Sequence, residues 1–369
     1  MKKHLWIVLL LVVALAVPVM ANQAAKVFVD GQELKTDVPP QNVNGRILVP
    51  LRAIAEGLGK TVDWNNETKT VTVTGVSELD KVEAISTEWG ATRKTGYNAY
   101  PAGRGYSCAK CHEGNSFSTG EFDEAKISGM TCQSCHTGNG KELMDQGKVG
   151  GLNVDYAWLN DYEAGTGALC MSCHNANRDP EAEFAKQTDG MRNAGRNLSY
   201  PHYSGNAALY TGLGGMEYPD MTYAKSFAHP KLEDSCTSCH MPKTEDGYKA
   251  HSFKMDEAYI SQTCGSCHAG IDSYDYNGFQ TDLYNKLKKV EKAILADTGA
   301  AELSSGGGQL IFLDSEGNAI PAEKISQEAY VAYYNYKLVK AEGSMGIHNP
   351  KYAKSLLENS YKALTGNDL

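Results

Sequence analysis

SCTSCHMPKTEDGYKAH, residues Ser235–His251, holds a Cys-x-x-Cys-His unit and, eleven residues after that unit's own histidine, a second histidine. The pattern around it is repeated. All ten cysteines fall into five such units. The first is Cys108, Cys111 and His112; the second is Cys132, Cys135 and His136; the third is Cys170, Cys173 and His174. The fourth is Cys236, Cys239 and His240, and the fifth is Cys264, Cys267 and His268. Cys-x-x-Cys-His is the attachment signature of c-type haem. Two thiols three positions apart on a helical turn can reach the two vinyl groups of one porphyrin. The residue that follows then lies under the ring, where its imidazole binds the iron. Zinc ribbons share the cysteine spacing but do not require a histidine after every pair. Disulfides closing such small loops are disfavoured on geometry. The expected cofactor is therefore haem c, five covalently attached copies per chain.

The histidines continue the argument. The chain has ten. His4 lies in an apolar leader, five are the proximal ligands above, and His202, His229, His251 and His348 remain. Haems that only carry electrons are commonly closed on both faces, so these four are candidate distal ligands. Five irons and four spare histidines leave one haem with another ligand or an open face. Methionine, lysine, an amine or water could close it, and Met130 and Met144 are nearby methionines.

The leader MKKHLWIVLLLVVALAVPVMA, residues 1–21, reads as a secretory signal peptide, with two lysines, an apolar run and small residues before the cleavage point. Its removal leaves 33 basic against 44 acidic residues, a net charge of −11. A chain this acidic offers no basic surface for nucleic acid. The expected location is exported: cell surface, cell wall or extracellular space, or the periplasm in a Gram-negative source.

Residues 24–76 contain neither cysteine nor histidine. KVFVDGQEL alternates around Asp-Gly and predicts a hairpin. GRILVPLRAIAEGLGKTVDWNNETKTVTVTG predicts a strand, a helix Leu51–Gly57, and two strands joined at Asn65-Asn66. Residues 77–369 form the second domain. Glycine-rich connections such as TGNGKELMDQGKVGG predict little regular structure. Three long helices are predicted after the last unit, in DLYNKLKKVEKAILADTG, SQEAYVAYYNYKLVKAEG and KYAKSLLENSYKAL. In the first, Leu283, Leu287, Val290 and Ile294 fall on one face. The intervening SSGGGQLIFLDSEGNAI predicts a loop with a short hairpin. The fold class is thus a small α+β N-terminal domain plus a mainly α, loop-rich multihaem cytochrome c domain organised around five haems.

The order of the five units, with FAHPKLEDSCTSCHMP, KAHSF and GIHNPKYAKSLLENS, resembles the pentahaem cytochrome c nitrite reductase superfamily over roughly residues 100–365. That resemblance implies that His251 serves the second haem, His348 the fourth, His229 the fifth and His202 the third, leaving the first without a histidine. The chain departs from the reductases at three places. It has His112 where they carry lysine, Tyr218 where they carry a catalytic histidine, and no tyrosine shortly after the third unit. GLGGMEYPDMTYAKSFAH is similar to surface multihaem cytochromes, and the N-terminal module resembles the copper amine oxidase N-terminal-like domain. Together these imply electron transfer across or outside the envelope, with other redox proteins as partners, an extracellular metal oxide as a candidate acceptor and envelope contact through the N-terminal domain. Reduction of a small oxyanion or of hydroxylamine at an open first haem is the alternative. A polymerising or docking subunit, hence an oligomer, is a third reading.

Overall fold

The computed structural model describes residues 25–29, 31–75, 77–92, 105–150, 154, 156–187 and 198–369. The leader expected over residues 1–21 lies outside the described residues. The chain divides into two compact units. One holds the residues up to Glu83 together with Thr244–Tyr248, and the other holds Ala84–Lys243 and Lys249–Leu369.

Among its described residues the first unit holds three antiparallel hairpins, a helix between them and the start of the helix Glu78–Gly90. Val27–Val29 pairs with Gln32–Leu34, Gln41–Val43 with Arg46–Leu48, and Thr61–Asn65 with Thr70–Thr74. The helix between them is Leu51–Gly57, with the bounds the sequence predicts. The last hairpin turns through Asn65, whose side-chain oxygen accepts from the Glu67 and Thr68 amides at 2.9 and 3.0 Å. This is the side-chain-to-backbone turn that asparagine favours. Among the described residues of this module only Ala55 and Val62 are buried apolar side chains, so its core is thin.

The second unit is rich in helices. Its core is formed by three of them, Phe279–Thr298, Gln327–Ala341 and Pro350–Thr365. The first buries Leu283, Leu287, Val290 and Ile294, the stripe expected from a 3.6-residue period. Gln327–Ala341 is buried nearly all round, from Ala329 to Tyr336 and again at Leu338 and Val339, and is the central helix of the unit. Its tyrosines serve packing, and two of their hydroxyls find backbone carbonyls: Tyr330 donates to Ser199 at 2.8 Å and Tyr333 to Ser304 at 2.6 Å. Buried Asn335 clamps Met216, accepting from its amide at 2.9 Å and donating to its carbonyl at 2.8 Å. Between the first two helices, Glu302–Gly306 pairs with Gln309–Leu313. The hairpin turns on Gly307 and Gly308, with φ of 58° and 87°, as a two-residue turn with both central residues left-handed requires.

One expectation is corrected. TGNGKELMDQGKVGG is not irregular: Gly138–Gln146 is a helix. It buries Leu143 in a cluster with Phe117, Val149 and Leu159, and Lys141 pairs with Asp145 at 2.7 Å along its outer face. A single large buried side chain gives too weak a periodic signal to outweigh two glycines in the sequence.

Candidate haem sites

Each Cys-x-x-Cys-His unit adopts one helical turn. Tyr106–His112, Cys132–His136 and Cys236–His240 are helices. The third and fifth units close the same turn through His174 N to Cys170 O and His268 N to Cys264 O, both at 2.9 Å. The two thiols and the imidazole of each unit therefore project along one side of a turn, the arrangement that attachment requires. In the first unit Cys108 and Cys111 are both half-buried, as are Cys170 and Cys173 in the third and Cys236 and Cys239 in the fourth. In the second and fifth, one thiol of each pair is exposed, Cys132 beside half-buried Cys135 and Cys267 beside half-buried Cys264. None of the ten cysteines forms a disulfide, so every pair keeps both sulfurs for thioether bonds. Among the described residues no three histidine, cysteine or acidic side chains converge as a metal site.

The remaining histidines settle opposite the proximal ones. Ring centres of His112 and His202 are 6.1 Å apart, of His136 and His251 6.3 Å, of His240 and His348 6.2 Å, and of His229 and His268 6.2 Å. With metal–imidazole bonds of about 2.0–2.1 Å, two imidazoles bound trans to one metal hold their ring centres about 6.3 Å apart. Four separations within 0.2 Å of that value fit the residues to haem iron held from both faces. The ninth histidine, His174, sets Nδ1 3.1 Å from the Asn206 side-chain oxygen.

The resemblance paired His202 with the third haem and left the first short. The structure instead sets His202 across from His112. The cause is the path of the chain after the third unit. Ala176 and Asn177 turn it back with φ of 65° and 46°. Two backbone bonds then fix the returning segment, His202 N to Ala176 O at 2.8 Å and Ala176 N to Ser204 O at 3.1 Å. Met130, one of the methionines considered as a ligand, packs against the Phe117 and Leu143 cluster. Met144 is half-buried on the helix Gly138–Gln146.

Local structure explains why the distal histidines sit where they do. In Gly346-Ile347-His348-Asn349-Pro350, Asn349 is the N-cap of the last helix and Pro350 its first residue, a favoured helix start. Asn349 is fully buried. Its oxygen accepts from the Tyr352 and Ser226 amides at 3.3 and 2.9 Å, and its nitrogen donates to the Tyr210 carbonyl at 3.1 Å. His348 is thereby anchored by its neighbour. His229 opens a short 3₁₀ turn with Pro230, and the Tyr210 hydroxyl donates to its carbonyl. The His251 amide donates to Glu88 at 2.6 Å.

The ring hydrogen bonds select the tautomer. His229 Nδ1 faces the Ile347 carbonyl at 2.7 Å, His240 the Phe253 carbonyl at 2.9 Å and His251 the Lys249 carbonyl at 2.6 Å. A carbonyl only accepts, so Nδ1 carries the proton and Nε2 keeps its lone pair for a metal. Burial, then the neighbouring His112 and Arg178, holds His202 below the usual histidine value. Burial does the same to His240 against its bond to Phe253, with His348 adding to the effect. Both shifts favour the neutral ring that a ligand must be.

The motif segments also touch one another. Gly114, two residues after the first unit, lies so close to Gly129 O that an added Cβ would stand 2.5 Å from it. Thr166 N donates to Asp234 at 3.0 Å, and Ser235 Oγ to Ala164 O at 2.7 Å. The first and second units are thus neighbours, as are the third and fourth.

Residues 208–368 match the cytochrome c552 family, and residues 28–86 match the copper amine oxidase N-terminal domain. Residues 208–368 are thus similar to a cytochrome c552 domain. Haem c is the cofactor that this family implies, and the turns and facing imidazoles described above suit it. Among solved structures, the outer cell wall cytochrome OcwA is similar at 20% identity with a TM-score of 0.47; the match covers 87% of this chain and 66% of OcwA. Among the described residues no helix is long and apolar enough to cross a membrane.

Two residues of the cytochrome unit escaped the sequence reading. Asn206 faces His174, and Glu342, buried, faces His348 Nδ1 at 2.5 Å. Nothing in KAEGSMGIHNP distinguishes Glu342 from an ordinary helix-terminal acid. Only the fold of the Ser344–His348 loop brings it onto the ring.

Proposed function

We propose that the protein is an exported pentahaem c-type cytochrome that carries electrons across or outside the cell envelope. The four facing histidine pairs carry this reading, because each joins a Cys-x-x-Cys-His histidine to a ring on the opposite face. The five cysteine pairs would hold the haems through thioethers. Each haem, once attached, supplies a one-electron Fe(III)/Fe(II) couple. A histidine on both faces keeps small molecules off the iron and favours electron carriage over substrate chemistry. Neighbouring motif segments suit transfer from one centre to the next.

Tyr218 supports the same reading. The residue at the reductases' catalytic histidine position is buried here, and its hydroxyl donates to the Glu328 carbonyl at 2.9 Å. It is committed to packing and is not offered to a bound oxyanion. Redox proteins are the expected donors, with a metal oxide or another extracellular species as acceptor. The N-terminal module, which holds no cysteine or histidine from residue 24 to 75, would contact the envelope at the cell surface or wall.

Intact mass of the exported protein should give five haems on a chain cleaved after Ala21. Stopped-flow spectroscopy should then show the reduced protein re-oxidised by chelated Fe(III), with nitrite and hydroxylamine consumed no faster than in a protein-free blank. Sustained turnover of either would replace this reading with a reductase.

A further inference from the structure

We propose that Glu342 lowers the reduction potential of the fourth haem, on Cys236 and Cys239, by giving its distal histidine a buried carboxylate as hydrogen-bond acceptor. This rests on the reading that His240 and His348 hold one haem iron. The Glu342 side chain has no exposed surface and lies 2.5 Å from His348 Nδ1. Its other oxygen accepts from the Ser344 amide at 3.1 Å, the Ser344 hydroxyl at 2.7 Å and the Gly346 amide at 3.2 Å. Every one of these partners can donate to the carboxyl oxygens. Among the described residues, no lysine or arginine forms an ion pair with it.

The contrast with the other histidines gives the inference its content. His229, His240 and His251 present Nδ1 to backbone carbonyls, and His174 presents it to the Asn206 amide oxygen. These acceptors are neutral, whereas His348 Nδ1 faces a carboxyl oxygen of Glu342. An anionic acceptor raises the basicity of a ligating imidazole. In a buried setting its charge is weakly screened and favours the more positive Fe(III) over Fe(II). Reduction adds one electron to the iron.

Glu342 also pins the Ser344–Gly346 loop, and the test must separate the two roles. The fourth haem is first identified as the one whose low-spin EPR signal is lost in His348→Ala. Redox titration then follows that signal in Glu342→Gln and Glu342→Asp. In Glu342→Gln the signal is expected to stay low-spin while its Fe(III)/Fe(II) equilibrium shifts toward Fe(II) at least tenfold, which is about 59 mV for one electron. Glu342→Asp keeps the charge and should shift it by less than about threefold. The proposal falls if Glu342→Gln shifts the couple less than threefold, if Glu342→Asp shifts it as much as Glu342→Gln, or if Glu342→Gln loses the low-spin signal, which would make Glu342 a loop pin. If His348→Ala leaves the spectrum unchanged, the parent assignment of His348 as a ligand fails instead.

Discussion

Replacing His202 by alanine gives a prediction that separates this structure from the order of ligands implied by family resemblance. His202 faces His112 with ring centres 6.1 Å apart. Its backbone is held by the bond to the Ala176 carbonyl at 2.8 Å, which involves no side-chain atom and survives the substitution. Removing the imidazole should therefore open one iron without unfolding the segment. The size of the effect follows from stoichiometry. Carbon monoxide bound per reduced chain should rise by one equivalent over the wild type. One low-spin signal should disappear from the oxidised EPR spectrum and one high-spin signal should take its place. The opened haem should be the first, on Cys108 and Cys111, which can be checked by combining His202→Ala with His112→Met: the double variant should perturb the same centre and no second one. If His202→Ala leaves the first haem low-spin and opens the third, on Cys170 and Cys173, the chain-order assignment is right and the facing geometry is wrong.

Three other predictions concern the supports of the sites. Asn335→Leu keeps the shape of a fully buried side chain but leaves the Met216 amide and carbonyl without the Asn335 partner; at about 1–3 kcal/mol for each stranded group, the cytochrome unit should lose about 2–6 kcal/mol, seen as a clear drop in thermal midpoint. Gly346 has φ of 82°, and a Cβ there would lie 2.5 Å from the Leu283 side chain, so Gly346→Ala should cost about 2–4 kcal/mol and weaken the low-spin signal of the fourth haem, two residues away. Burial pushes the Glu113 carboxyl up, but hydrogen bonds from Ser116, Asn115 and Ser128 outweigh it and hold the group below its usual 4.5. Its folded value is thus depressed. Its contribution to stability is complete above about pH 4.5 and is lost as pH falls toward the folded value. Urea melts between pH 7 and pH 3 should show Glu113→Gln less stable at neutral pH, with the difference from wild type closing in acid.

Much of the architecture was legible because it rests on repeated or periodic signals. The stripe of Leu283, Leu287, Val290 and Ile294 and the paired Gly307-Gly308 mark their elements without any tertiary information. Each proximal histidine is fixed by its neighbours in sequence, since one helical turn positions the thiols and the ring together. The distal histidines could be selected by exhausting the others. Their partners could not be read in the same way. Which iron His202 faces depends on the turn at Ala176 and Asn177, where two non-glycine residues take left-handed backbone conformations that composition does not announce. The helix Gly138–Gln146 was missed for a related reason: its stability comes from burying Leu143 against Phe117 and Val149, and not from local preference. Glu342 acquires its role only through the loop that lays His348 over it.

The most direct test of the account is quantitative low-temperature EPR of the oxidised, fully loaded wild-type protein, with haem content fixed beforehand by intact mass. Four facing pairs predict four low-spin, bis-histidine irons per chain, unchanged by added nitrite or hydroxylamine. Fewer than four such centres, or a low-spin signal from any of these four that gives way to a substrate-bound form, would contradict the pairing on which the proposed function stands.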